Sequence, residues 1–417
     1  MPSSHIHLIG TIIFAIALVH TFSASMFEVL AHRLPRHRGL FHLLGEVEVV
    51  FGFWAFVLIV LMALTEGGAA AIHYAESRQY TEPLFVFVVM VIAASRPILD
   101  IFSRMLTAIA RMLPMPTHIV MVWLGLAIVP LTGSLITEPA AMTLAALMLA
   151  PLAFRQEMPE WCKYAALGVL FVNVSIGGTL TSYAAPPVLM VAKTWQWDSM
   201  YMLTHFGWRS CIAVLINATV LTYVIRKHLV IVKAEAQIKA DKVPFIVTGI
   251  HLVFLAAVIL LAHHPVLFLG LFLFFLGYTQ AYDKHQSPLI LKEGLLVGFF
   301  LAGLVVLGGM QQWWLQPIVS SLGPLALFFG ALGLTAITDN AALTYLGSLV
   351  VGMSPEAKYM LMAGAVCGGG LTVIANAPNP AGAALLKRGF QDESIGALGL
   401  LAGALLPTAV ATLMFLI

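Results

Sequence analysis

The sequence predicts an all-α, polytopic membrane protein with two inverted repeats, each holding an interrupted transmembrane helix and a re-entrant helical hairpin. Three observations lead there. Hydrophobic residues make up 60% of the chain and charged residues 10%, and the mean hydropathy is +0.96, whereas an ordinary water-facing surface needs about a quarter charged positions. Apolar runs follow one another from Ile6 to the end, many of them near the roughly 20 helical residues that span a bilayer. Finally, two motifs recur in the same order. ITEPAAMT (Ile136–Thr143) matches ITDNAALT (Ile337–Thr344) at a spacing of 201 residues, and GTLTSYAAPP (Gly178–Pro187) matches GGLTVIANAP (Gly369–Pro378) at 191. The net charge of +2 gives no argument for nucleic acid, and Cys162, Cys211 and Cys367 form no CxxC pair that would suggest a metal knuckle or a disulfide framework. The first apolar run lacks the short core and cleavage site of a signal peptide and reads as a retained helix.

Residues 1–83 read as N-terminal scaffold helices, with apolar runs over Ile6–Leu30 and Leu43–Leu64. The first repeat, 84–225, opens with a span over Leu84–Met112. Thr117–Leu152 is too long for one straight crossing and is interrupted at Thr137-Glu138-Pro139; Trp161–Trp195, broken by glycines and Pro186-Pro187, reads as the hairpin; Met200–Ile225 closes the half. Residues 226–242 carry Arg226, Lys227, Lys233, Lys239 and Lys242 against Glu235 and Asp241, and read as a cytoplasmic linker. The second repeat, 243–417, has spans over Val243–Ala262, Val266–Ala281 and Leu289–Met310, an interrupted helix over Pro317–Val351, a hairpin over Lys358–Arg388 and a last span from Ser394. The basic loops with Arg33, Arg36, Arg38, Arg104 and Arg111 belong in the cytoplasm, and the loop with Glu66, Glu76 and Glu82 belongs outside. The N-terminus is then outside, the first interrupted helix runs outward and the second inward.

An ionisable group inside such a run costs about 2.5–3.5 kcal/mol even on lenient insertion scales, so Glu138 and Asp339 need compensating partners. Unwound backbone at membrane depth is tolerated only where it is buried in protein or lines a wet cavity. A hard cation, which takes oxygen ligands, is a partner for both. The breaks supply such oxygens: Thr137 and Glu138 at the first, and Thr338, Asp339 and Asn340 at the second. The hairpins add Asn173, Ser175 and Thr181 in one half and Thr372, Asn376 and Asn379 in the other. Either carboxylate can hold a proton in place of the cation, because burial disfavours the charged form. That is the minimal machinery of an exchanger, with no cofactor beyond the transported ion and protons. Asn340 stands opposite Pro139 in the repeat, which points to the second break as the main ion site and to Glu138, before a proline, as a helix cap in support.

Rival readings exist. Both acids suit helix N-caps. An anion carrier would use the half-helix N-termini, against which the two carboxylates argue. A membrane-embedded metal enzyme would draw on His5, His7, His20, His32, His37 and His42 with Glu28, Glu46 and Glu48, but neither HxxxH nor HExxH occurs, nor a GxxxxGK[ST] loop for a nucleotide-driven pump.

ITDNAALT with GGLTVIANAPNP, and VNVSIGGTLTSYAAPP, resemble the ion transporter superfamily of NhaD-type sodium/proton antiporters, arsenite exporters and divalent-anion/sodium symporters. The likeness is nearest to a bacterial sodium/proton antiporter family and covers most of the chain from about Leu84. It implies a transporter rather than an enzyme, exchanging sodium or another small monovalent cation for protons. It also implies a homodimer in the bacterial inner membrane, whose scaffold holds an elevator-like transport domain. The superfamily's anion symporters carry Ser-Asn-Thr at their hairpin tips; this chain does not, which weighs against the symporters.

Overall fold

A computed structural model describes residues 4–229 and 243–417, and among them the regular structure is helical throughout, with no strand. Most of the expected linker, 230–242, lies outside the described residues. Among the described residues, five helices are long and apolar enough to cross a membrane: Glu48–Glu66, Glu160–Leu180, Ser199–Ile225, Leu291–Gly308 and Ala397–Leu416. Two bent pairs join them, Thr81–Ala93 with Arg96–Met112 at 61° and Thr117–Leu126 with Ile128–Ile136 at 44°. The chain is a multi-pass membrane protein.

Prolines mark where helices restart. Pro97, Pro139, Pro186, Pro324, Pro355 and Pro380 each occupy the first or second position of a helix, where the missing N–H costs nothing. At Pro97 this splits the expected Leu84–Met112 span. Its second part, Arg96–Met112, buries Ile98, Leu106 and Ala110 on one face and carries an Asp100–Arg104 ion pair of 2.6 Å.

Loop contacts define two ends of the molecule. At one, Lys163 Nζ donates to the Gly389 carbonyl at 2.7 Å, the Gln391 N–H to Glu160 Oε1 at 3.2 Å, and Trp161 lies against His228. At the other, Tyr359 OH donates to the Phe415 carbonyl at 2.8 Å, and Phe206 packs on both residues and on Trp197.

Traced between these ends, the breaks exchange the roles expected from sequence. Thr117–Ala153 folds back on itself as a helical hairpin rather than running on as one interrupted helix. Gly133 and Ala141 lie four residues either side of Thr137, and a Cβ on Gly133 would sit 3.2 Å from that of Ala141. Gly125 and Leu149 lie twelve residues either side, and a Cβ on Gly125 would sit 3.0 Å from Leu149 Cδ2. The two arms are therefore antiparallel, and both open at the Lys163 end. Glu160–Trp195 is instead the broken crossing: Glu160–Gly177 starts beside Gly389, and Pro186–Trp195 leads to Trp197 at the Tyr359 end.

The second half repeats the exchange from the opposite end. Pro324–Thr335 runs parallel to Pro355–Gly368, with Phe328 beside Gly364 and Thr335 beside Gly368. Asn340–Ser348 turns back to the Tyr359 end, where Gly347 meets Leu361. Pro355–Gly368 and Asn379–Leu386 then cross to Gly389 at the Lys163 end. Each hairpin arm packs on the far part of the other half's crossing: Met142 fits against Gly382, and Thr344 Oγ1 donates to the Pro187 carbonyl at 3.0 Å.

Outside this unit, Ser4–Phe22, Val47–Glu66 and Leu291–Gly308 pack through Phe14, Phe51 and Phe300. Lys292 pairs with Glu46 at 2.8 Å. His20 joins this bundle, accepting from Trp54 Nε1 at 3.0 Å and contacting the Leu44 carbonyl at 2.9 Å. The Trp donor fixes Nδ1 as the acceptor, so Nε2 carries the proton.

The antiparallel hairpin predicts that a Gly125→Cys/Leu149→Cys pair forms an intramolecular disulfide under mild oxidation, scored by mass spectrometry. In one straight crossing those positions would lie about 36 Å apart, and no cross-link would form.

Candidate functional site

Polar groups of the two halves meet in the interior at Glu138 with Asn376 and at Ser175 with Asn340. Thr137 turns the first hairpin with φ 78° and ψ 150°, a conformation rare outside glycine that costs about 1–3 kcal/mol and persists only where its surroundings hold it. The turn begins the helix Glu138–Ala153 with Glu138 as its first residue, its N–H facing the Ala184 carbonyl at 3.4 Å. Glu138 has no exposed surface. Its Oε2 accepts from Asn376 Nδ2 at 3.0 Å, while its Oε1 has no partner. Gly178 leaves room for the carboxyl, since a Cβ there would lie 2.8 Å from Glu138 Cδ.

Three asparagines of the second half are buried, each with an unpartnered Oδ1: Asn340, Asn376 and Asn379. Their amide hydrogens fix them. Asn379 Nδ2 donates to the Gly369 and Thr372 carbonyls at 2.8 and 2.9 Å. Asn340 Nδ2 reaches Ser175 Oγ at 3.4 Å, and Ser175 donates to the Val366 carbonyl at 2.7 Å. Gly369 touches both Ser175 and Asn340, where any side chain would collide. With each NH₂ engaged, each amide oxygen is left as an acceptor. The hydroxyls of Thr137 and Thr335 are also buried without partners.

The two acids differ from the sequence expectation. Glu138 does not cap: the N-cap position belongs to Thr137, which makes no side-chain capping bond. Asp339 is the cap, its Oδ1 accepting from Ala341 N at 2.8 Å and Ala342 N at 3.1 Å. Asp339 is half-buried and, with Thr338, borders a cavity of about 20 Å³ against Thr21, Phe51 and Phe300. The position matched to Asn376 in the first half is Ala185 and that matched to Asn340 is Pro139, and Asp339 bonds to backbone N–H groups of its own helix.

Other expected residues are structural in their contacts. Asn173 is not at a tip but inside Glu160–Gly177, donating to the Leu126 and Val214 carbonyls and accepting from Asn217 Nδ2 at 3.0 Å. Thr181 and Thr372 donate to the Ser134 and Ala336 carbonyls at 2.7 and 2.8 Å, tying each broken crossing to its hairpin. Thr338 bonds back to the Leu334 carbonyl at 2.8 Å. Ser134 escaped the sequence reading. It donates to the Gly177 carbonyl and accepts from Leu180 N, satisfying the unwound turn. Its repeat partner is Thr335, and extending the motif match by two residues would have found the pair.

Hairpins and broken helices whose polar groups converge in an apolar interior define a membrane transport protein. A family model described as "Putative Na+/H+ antiporter" matches residues 5–417. The chain belongs to that antiporter family, and its class of substrates is therefore cations and protons. None of the curated proteins compared with the chain matches it.

The capping geometry predicts that Asp339→Asn keeps thermal stability near wild type, because Asn caps as well as Asp, whereas Asp339→Ala loses about 1 kcal/mol. Thermal unfolding of the detergent-solubilised protein measures both.

Proposed function

We propose that the chain exchanges sodium, or another small monovalent cation, for protons at a site centred on Glu138. The observation that carries this is the fully buried Glu138 carboxylate, whose Oε1 shares the interior with the unpartnered Oδ1 atoms of Asn340, Asn376 and Asn379. Oxygens without hydrogen donors are what a hard cation needs. An ionised carboxylate buried without a counter-charge is costly, and a charged hydrogen bond such as that from Asn376 returns only about 1.5–3 kcal/mol. The site is therefore occupied by one cation or one proton, and competition between them is the exchange. Asp339 shapes the second tip by capping and is the secondary acid.

The N-termini of four helices, Glu138–Ala153, Pro186–Trp195, Asn340–Ser348 and Asn379–Leu386, start at the breaks. Such termini favour negative charge, which is the observation behind an anion carrier of the arsenite or carboxylate kind. Here Glu138 supplies that negative charge itself, which supports the cation reading. The reciprocal packing of hairpins on crossings supports inverted repeats. Arg226 and Lys227 beside His228, and Lys387 and Arg388 beside Gly389, support a cytoplasmic Lys163 end and an outside N-terminus. We further place the protein in the bacterial inner membrane as a homodimer.

In everted vesicles with dye-monitored pH, sodium or lithium dissipates the gradient for wild type and arsenite does not. Glu138→Gln abolishes the response, Asn376→Ala raises the half-saturating cation concentration about tenfold or more, and Asp339→Asn retains exchange. A Glu138→Gln protein that exchanges like wild type would sink the assignment.

A further inference from the structure

A cavity of about 620 Å³ lies on the Tyr359 side of the site, between Thr81–Ala93, the end of Phe245–Leu260 and the far part of the first broken crossing. Glu82, Lys193, Asp198 and His263 line it, and Ser182 and Tyr183 form its inner wall. Those two residues belong to the unwound break itself. The next residue, Ala184, offers its carbonyl to the Glu138 N–H. The inner wall of the cavity is thus one residue from the backbone that holds the buried carboxylate. Ser182 is fastened to the rim: its N–H and hydroxyl meet Ser199 Oγ at 3.2 and 3.1 Å. Asp198 caps Ser199–Met202 through Oδ1, and among the described residues neither Glu82 nor Asp198 forms an ion pair. Toward the Lys163 end, by contrast, Glu138–Ala153 lies against Asn379–Leu386, with Met142 on Gly382 and Phe154 on Phe390.

We propose that this cavity is the access vestibule through which the cation reaches Glu138 from the Tyr359 end, with Glu82 and Asp198 drawing it in and Tyr183 lying across its inner wall. The proposal rests on the exchanger reading. Two carboxylates against one lysine give the vestibule a net negative field, and a cleft of one sign between low-dielectric walls concentrates the counter-ion and speeds its capture. Bound cation then requires only a shift of the break at Ser182–Ala184, which is already unwound and held to the rim by serine hydroxyls, with no helix to dismantle.

The test has two arms. In the first, Tyr183→Cys is labelled with a membrane-impermeant maleimide in sealed vesicles of either orientation. Met200→Cys marks the Tyr359 end, Gln391→Cys marks the Lys163 end, and wild type gives the background of Cys162, Cys211 and Cys367. We expect Tyr183→Cys to label from the same side as Met200→Cys, more slowly with sodium present. In the second, Glu82→Gln raises KM for sodium about two- to fivefold with unchanged maximal rate, and the difference fades at high ionic strength. Tyr183→Cys that is inert, or that labels from the Gln391→Cys side, overturns the vestibule, as does a Glu82→Gln effect confined to the maximal rate. Labelling needs no transport, so the two failures are distinguishable. A protein that labels as expected but moves no protons with any cation removes the exchanger premise, while an exchanging protein with inert Tyr183→Cys removes the vestibule alone.

Discussion

The structure turns on one buried carboxyl group, that of Glu138, whose Oε2 accepts from Asn376 and whose Oε1 has no partner. Glu138 begins the helix Glu138–Ala153 at the first break, and no solvent reaches it. Low dielectric makes each polar contact there strong and each missing contact expensive. The breaks in the helices follow from that demand. A continuous helix uses its own N–H and C=O groups and offers a buried acid only side chains. An unwound one offers amides, carbonyls and helix N-termini together. Ser134, Thr181 and Thr372 satisfy the unwound backbone in turn.

Within that frame, two similar halves have taken unequal roles. The acids occupy matched places in the two sequence motifs, and Glu138 has an asparagine facing it. Glu138 accepts from Asn376, whereas Asp339 accepts from the backbone of Ala341 and Ala342 at the start of its own helix. A carboxylate committed to two backbone amides satisfies a helix end. A carboxylate with one amide partner and one free oxygen keeps capacity for a cation. The same residue type thus caps its own helix in one half and accepts from a distant asparagine in the other.

Small residues make the convergence physically possible. Gly178 and Gly369 stand where a Cβ would enter the Glu138 carboxyl or the Ser175–Asn340 contact. Gly382 admits Met142 at the seam between the halves. In lipid, where apolar association gains little from water, close backbone approach and interhelical hydrogen bonds bring helices together. These positions therefore fix the seams, and the seams fix which groups reach the centre.

The sequence by itself determined the solvent, the helical class, the two breaks and most of the polar residues around them. Composition, apolar run length and the repeated motifs are local properties, and they survive whatever the chain does next. Glu138, Asn340, Asn376 and Asn379 were all legible as oxygen donors at breaks. Only the tertiary structure decided which broken run folds back and which goes through. Both are two apolar helices joined by a polar turn, and nothing in Thr117–Ala153 or Glu160–Trp195 alone says whether the second helix reverses. Contacts distant in sequence settle it, such as Lys163 with Gly389 and Thr344 with Pro187. The same distance hid the division between the acids. Two carboxylates at matched motif positions look alike in sequence, and what separates them is an asparagine 238 residues away from Glu138.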